Sequence, residues 1–509
     1  MQFQSILYKN GPAGEIRENM PTIFTDLHLD QVIDKMTEGK EEYHLKPFFY
    51  TCLKDGDSIL YRQKVMQELE QQNVRACIDS FAHSMQQMRQ MSQRSRDCLH
   101  QYQRERLFLD AVNIYCNSVR LLQEQLYASS VTSEGLCSFN EFLYAYTASE
   151  KFTTISQISE KILAGLKEVK YNIHIQELTV RILPYQPQSD YSDETERLYD
   201  KFRIAGVKDY KKEFPFTTDM NHVEAEVLKG VATLFPELFQ SLCEFFSTYQ
   251  DFTDKTVKDF DREIQFYVTC LSYCEKIKVH GSPFCYPEIA AIVGNIYARE
   301  TFDIALAYKL AEQNKPPVSN DFALKGKERI IIVSGPNQGG KTTFARTFGQ
   351  LHYLACLGCP VPGSKVRVML FDTIYTHFER EENIETHRSK FEEDLVRIHA
   401  ILKEATGQSI IILNEIFSST TLQDALFLCR NIMQHLIRLN AYCIWVTFID
   451  ELVSLSDTAV SMVSTVVSDH PATRTFKIVR KAPDGMAYAL SVAEKYHVTY
   501  NQLKERIHP

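Results

Sequence analysis

The sequence predicts two kinds of architecture in one chain: a mainly α-helical part over residues 1–290, then an α/β part over 300–509 built on a mainly parallel sheet. Three observations predict it. The first 290 or so residues carry apolar positions at helical spacing with few breakers. From about residue 300, short apolar runs alternate with helical stretches, the pattern of a doubly wound sheet. Between the first such run and the helix after it lies the string GPNQGGKTT.

The helical part is justified element by element. Residues 26–36 place Leu27, Leu29, Val32, Ile33 and Met36 on one face, with Thr25 or Asp26 as the cap. Residues 58–128 read as long helices, and the Phe81, Met85 and Met88 stripe is expected to be core rather than a ligand box. Residues 221–250 and 256–279 suggest another helical pair. Ahead of that pair His174 to Tyr185 alternates Leu178, Val180 and Ile182 as a strand would, and Pro184 to Asp193 is turn-rich. A small strand-containing insertion near 171–215 follows from these two readings.

The boundary is expected within 285–325, where Pro283, Pro287, Pro316 and Pro317 cluster. Beyond it, strands are expected at 329–333, 409–413 and 441–447, then at the paired runs 460–468 and 474–480.

GPNQGGKTT fits G-x-x-x-x-G-K-[ST], with Gly335, Gly340, Lys341 and Thr342 at the fixed positions. Strand, glycine-rich loop and helix together form a cradle whose backbone amides and helix N-terminus bind phosphate. Gly335, Pro336, Asn337, Gln338, Gly339, Gly340, Lys341, Thr342 and Thr343 are therefore the expected binding loop for a nucleoside triphosphate. Lys341 would reach the β- and γ-phosphates, and Thr342 would offer its hydroxyl to Mg²⁺. Such a loop needs a later strand carrying a metal-anchoring carboxylate and a group that orients water. SIIILNE supplies that strand, but the first position is Asn414 rather than Asp, while Glu415 stands in the place of the general base. Two readings stay open: metal affinity and turnover fall, or Thr342 and the phosphates hold the ion and Asn414 is harmless.

Bulk properties narrow the rest. Two to four domains are expected at 509 residues. The net charge of −9 argues against a surface basic throughout, so nucleic-acid contact would rest on local patches. Arg89, Arg94, Arg96, Arg104 and Arg106 form one candidate and Lys208, Lys211 and Lys212 another, though a solvated helix face is the better reading of each taken alone. Thirteen cysteines without framework spacing suit a reducing compartment. Cys356 and Cys359 form one C-x-x-C, expected to be packing rather than a zinc or redox pair. No apolar run is long enough to span a bilayer and MQFQSILYKNG has no signal-peptide core, so a cytoplasmic location is expected.

These motifs, taken in order, carry a resemblance. Residues 315–507 resemble the ATPase core of the MutS family, relatives of the ABC-type ATPases. GPNQGGKTT is similar to the family's GPNMGGKST, and VPGSKVRVMLFDTIYT to the segment after its first helix. SKFEEDL, from Ser389 to Leu395, stands where the family has STF-x-x-E, and NEIFSSTTLQDA resembles DEIGRGTSTFDG. VTFIDEL stands at ATHYxEL, and GMAYALSVAEKYHVTYNQLKERI at the closing strand and helix. FTDLHLDQVIDKM and YTCLKDGDSILYRQKVMQEL resemble, more loosely, the start of the family's helical core and lever region. The resemblance implies a helical core/lever domain followed by a P-loop ATPase domain of ABC type, ATP and Mg²⁺ as ligands, and catalytic roles for Lys341, Glu415 and Ser389. Thr342 and Asn414 would hold the metal. Ser389 would reach the γ-phosphate in the opposite subunit, which implies a homodimer through the ATPase domains.

Departures from the family pattern qualify this. Phe448 replaces the histidine that helps position the attacking water, and Phe417, Ser418 and Ser419 replace a glycine-bearing turn. Pro317 stands near the usual place of an adenine-stacking aromatic. Slow hydrolysis is expected. No room is expected ahead of the helical part for the mismatch-reading and connector domains, and Phe139-Asn140-Glu141 is a chance echo of the mismatch wedge. The leading expectation is an ATP-dependent clamp on structured, branched DNA. The alternative is a nucleotide-switched protein-binding module with little hydrolysis.

Overall fold

The computed structural model describes residues 3–11, 16–177, 179–187, 198, 220–290, 294–379, 389–467, 470–482, 499–500 and 503–504. Contacts divide the chain into two compact units, one of residues 72–131 and 137–261, the other of residues 3–71, 132–136 and 262–509.

The first unit is helical. No glycine or proline interrupts residues 72–128, and two long helices form there, Gln72–Asp97 and Gln101–Ala128, each about 40 Å long at 1.5 Å per residue. Phe81, Met85 and Met88 are buried along the first, as expected of a core stripe. The stretch expected as one helix over 221–250 is two, His222–Leu234 and Pro236–Thr248, because Pro236 has no amide to continue the ladder. Asn221 and Glu224 close a capping box on the first of these. Phe139 is fully buried and stacks on Phe260 with centroids 3.5 Å apart, so it is a core ring and not a wedge.

The strand expectation is corrected in this unit. The single strand expected over His174 to Tyr185 is a hairpin, Tyr171–Gln176 paired antiparallel with Thr179–Pro184, because Glu177 turns the chain at φ 54°. Four arginines of the candidate patch have partners within the unit. Arg89 pairs with the buried carboxylate of Asp261, Arg106 with Asp110 at 2.9 Å, and Arg96 with Gln93 at 2.7 Å. Arg104 lies over the Phe246 ring at 5.2 Å. Lys208, Lys211 and Lys212 fall outside the described residues.

The second unit holds a six-stranded sheet. Its strands are β1 (Ile330–Ser334), β2 (Ile374–His377), β3 (Ile410–Asn414), β4 (Tyr442–Val446), β5 (Ala459–Val467) and β6 (His470–Arg480), in the spatial order β2-β3-β4-β1-β5-β6. All neighbours are parallel except β5 and β6. Every residue of β1, β3 and β4 is buried, which their unbroken apolar runs require of strands covered on both faces. Three helices cover the sheet: α1 (Lys341–Cys356), α2 (Lys390–Glu404) and α3 (Leu422–Leu439). Ile398 and Ile401 of α2 and Met433 and Leu436 of α3 join Ile332, Ile411, Leu413 and Trp445 in one core.

α1 lies on the other face and is covered again by the N-terminal segment. A Cβ on Gly349 would meet Ile412 Cδ1 and Leu27 Cδ2, each at 2.7 Å, so glycine lets the sheet and Leu27 close on the helix from two sides. Gln350, fully buried, donates to Leu27 O at 2.8 Å and accepts from Ile304 N at 3.0 Å. Cys356 and Cys359 are buried free thiols at the end of α1, and the described residues hold no cluster that could bind a metal ion.

The stretch expected to be boundary is itself folded. A four-stranded sheet joins Glu288–Ala290, Lys365–Met369, Ile296–Thr301 and Asn320–Leu324, and the helix Ile304–Ala311 lies between its strands in sequence. Its strands are short and partly exposed. Among the described residues no helix is long and apolar enough to cross a membrane.

Candidate phosphate-binding site

The loop from Gly335 to Gly340 turns β1 into α1. Gly335 and Gly340 sit at φ 117° and 87°, and Gln338 also takes a left-handed φ of 58°. Gly339 is demanded by space: a Cβ there would lie 2.3 Å from Ser464 Oγ and 2.9 Å from Pro336 O. Ser464 on β5 donates to Gly339 O at 2.7 Å, and Arg474 on β6 donates to Asn337 O at 3.1 Å. The loop is thus pinned by two strands that follow it by more than a hundred residues. The first amides of α1 have no intrahelical acceptor and point their dipoles at the loop, an arrangement that favours an anion.

Lys341, 4% exposed, bends back on the loop. Its Nζ donates to Gly335 O and Pro336 O, both at 3.1 Å, with Asn337 Oδ1 at 3.5 Å and Glu415 Oε1 at 3.6 Å. Burial pulls its ammonium below the ordinary lysine range, while Glu415 pulls the other way. The Phe448 ring lies over Nζ at 4.8 Å. Thr342 Oγ1 donates to Asn414 Oδ1 at 3.0 Å, joining the two residues the sequence assigns to the metal. Thr343 continues the helix, its carbonyl accepting from Thr347 at 2.9 Å.

Glu415 follows β3 in a left-handed conformation, φ 52°, with its amide on Val446 O at 2.9 Å. Strain of this kind costs about 1–3 kcal/mol and concentrates where a side chain must be aimed. Phe417 is left-handed too, φ 61°, at the place where a glycine would adopt that backbone freely. Its buried ring meets Phe391 edge to face with centroids 5.8 Å apart, and its amide donates to Asp394 at 3.3 Å.

Ser389 caps α2, accepting from Glu392 N at 3.3 Å; among the described residues it makes no hydrogen bond to the Lys341 loop. α2 is anchored behind it. Arg397 donates to Asp26 at 2.6 Å and to Thr376 O at 2.8 Å, and Thr376 Oγ1 donates to Asp26 at 2.7 Å. His377 Nε2 lies 3.0 Å from Asp394.

As a donor set for Mg²⁺, Thr342 and Asn414 offer two uncharged oxygens. A hard cation accepts such ligands, with phosphate oxygens and water completing an octahedron, so the residues fit the ion without a protein charge of their own. Three residues beside the loop carried no sequence signal: Ser464, Arg474 and Phe476. Phe476, half-exposed and left-handed at φ 57°, places its Cβ 3.8 Å from where a Cβ on Gly340 would stand. Its carbonyl accepts from Asn320 at 3.2 Å, so an aromatic stands beside the loop on β6, away from Pro317 in the sequence. The closing segment GMAYALSVAEKYHVTYNQLKERI lies almost wholly outside the described residues.

Comparison with known proteins covers the segment that carries this loop. Residues 331–505 match the family model for MutS domain V. Over 220 residues, 42% of this chain and 24% of the relative, the chain is 26% identical to the DNA mismatch repair protein MutS of Orientia tsutsugamushi strain Boryong. Over 299 residues, 58% of this chain and 32% of the relative, it is 25% identical to the DNA mismatch repair protein MutS of Chlorobium phaeovibrioides. The match thus spans a quarter to a third of these curated relatives. Residues 331–505 are thus similar to MutS domain V, and the chain resembles these relatives over part of its length.

Proposed function

We propose that this chain is an ATP-dependent conformational clamp on DNA, working as a homodimer through its nucleotide domains. The observation that carries the reading is the joining of Lys341, Thr342, Asn414 and Glu415 at one strand-to-helix loop. On binding ATP, Lys341 leaves Gly335 O and Pro336 O for the β- and γ-phosphates, and the loop amides hold the phosphate chain. Thr342 and Asn414 would hold Mg²⁺, whose charge offsets that of the phosphates. Glu415, released from Lys341, accepts the proton of an attacking water. Ser389, at the exposed start of α2, is free to meet the γ-phosphate in a second copy, so the P-loop fold of ABC type would close as a sandwich. Hydrolysis is slow, because Asn414 brings no charge and the Phe448 ring has no N–H with which to orient water.

The functional division we propose, a core/lever part to residue 290 and a nucleotide part from residue 300, differs from the contact division and leaves the strand-bearing insertion near 171–215 to the lever. Closure of the dimer would move that helical part around branched or otherwise structured DNA, in work related to repair or recombination rather than direct mismatch reading. The relatives' name, DNA mismatch repair protein, supports DNA as the partner.

A second reading has its own support. The internal pairing of Arg89, Arg96 and Arg106, with a net charge of −9, favours a nucleotide-switched module that grips protein rather than DNA. Titrating duplex, forked and junction DNA against salt, with and without ATP, decides between them. A steep salt dependence supports the clamp, since phosphate contacts release counterions. Absence of binding at low salt rejects it.

A further inference from the structure

Lys341 stands almost sealed although it is the cation expected to meet phosphate. On the loop side its Nζ faces Gly335 O, Pro336 O and Asn337 Oδ1, and on the strand side Glu415. An ammonium has three protons and all are engaged by these oxygens. The Phe448 ring lies over Nζ on a further side, its centroid 4.8 Å away, and only 4% of Lys341 is accessible. Phe448 itself is 56% exposed, so one face lies on the cation and the other on solvent.

Its backbone is held on both sides. Thr447 N donates to Val333 O at 3.1 Å, locking the end of β4 to β1. Ile449 N donates to Thr447 Oγ1 at 3.1 Å, and the 3₁₀ turn Asp450–Leu455 follows. The ring therefore moves by rotation of its own side chain, between staggered wells, without disturbing the strands.

We propose that Phe448 is an aromatic lid on Lys341: in the resting protein it holds the ammonium against Glu415 and the loop carbonyls, and nucleotide enters by displacing it. The inference rests on the reading of the Lys341 loop as a triphosphate site and adds a positioning role to a residue whose ring cannot orient water. Two consequences follow. Entry is slowed by the ring–cation contact, and Glu415 is kept neutralised until nucleotide draws Lys341 away.

Stopped-flow binding of a fluorescent ATP analogue, mant-ATP, to the full chain tests the lid. Phe448→Ala is expected to raise the association rate about three- to ten-fold, the range set by a partly exposed cation–π contact. Phe448→Leu, which keeps apolar bulk but not the π face, should show part of that gain, and Phe448→Trp none. Phe448→His keeps a ring and adds an N–H; it should bind near the wild-type rate but turn over faster, separating entry from catalysis. Circular dichroism melts of each variant establish folding. Saturable wild-type binding with an unchanged or lower association rate in Phe448→Ala and Phe448→Leu overturns the lid alone. Absence of saturable wild-type binding overturns the triphosphate site, and the lid with it.

Discussion

Asn414→Asp changes one charge at nearly constant volume, at a point the structure fixes well. Asn414 Oδ1 accepts from Thr342 Oγ1 at 3.0 Å, and the residue is 7% exposed at the end of β3. A carboxylate there would stand about 4 Å from a divalent ion held by Thr342, a raw attraction of about 8 kcal/mol at an effective dielectric near 20. Burying the new charge returns several kcal/mol of that. A net gain of about 1–3 kcal/mol remains, or about 5- to 150-fold in Mg²⁺ affinity. The assay is ATP turnover titrated with Mg²⁺, alongside nucleotide binding in EDTA. Half-saturation should move to lower Mg²⁺ and turnover should rise. In EDTA the variant should bind ATP more weakly, because the carboxylate then faces the phosphates uncompensated. An unchanged Mg²⁺ midpoint with unchanged turnover would refute the account of Asn414 as a weakened anchor.

Three further outcomes are expected. Asp26→Asn removes the carboxylate shared by Arg397 and Thr376, which anchors α2, and should cost about 2–4 kcal/mol in urea unfolding. Gly339→Ala should weaken ATP binding at least about ten-fold by driving a methyl into Ser464 Oγ and Pro336 O; adding Ser464→Ala should restore part of it, and the melting temperature should report an intact fold. His352 is fully buried, its ring nitrogen 2.8 Å from Phe348 O, and burial lowers its pKa to about 4. The unfolded chain then binds the proton first, so this contribution is full above pH 6.5 and is lost as pH falls towards 4, about 3 kcal/mol in all. Unfolding free energies of His352→Gln should fall less steeply over that window than those of the natural protein.

What could be read from sequence follows from how local its cause is. β1, β3 and β4 are unbroken apolar runs buried on both faces, and each was legible within a residue or so. β2, reading Ile-Tyr-Thr-His, is four residues with a polar end and carries no such signal; its place on the sheet edge comes from pairing with β3. The loop, Thr342, Asn414 and Glu415 were legible because their spacing is fixed by one strand-to-helix turn and the end of one other strand. Ser464, Arg474 and Phe476 were not, since only the antiparallel return of β6 along β5 brings them to the loop. The partners of the arginines on the long helices were not legible either. A run of cations in sequence says nothing of Asp261, which meets Arg89 from more than 170 residues away.

Triphosphate at the Lys341 loop is expected to join two copies. Measuring mass in solution by sedimentation, with and without ATP and Mg²⁺, tests it most directly in the natural protein, Lys341→Ala and Ser389→Ala. The account predicts a dimer for the natural protein with ATP, and loss of that ATP-driven dimer in both variants. A natural protein whose mass is the same with and without ATP, or a Lys341→Ala variant that still dimerises on ATP, would contradict it.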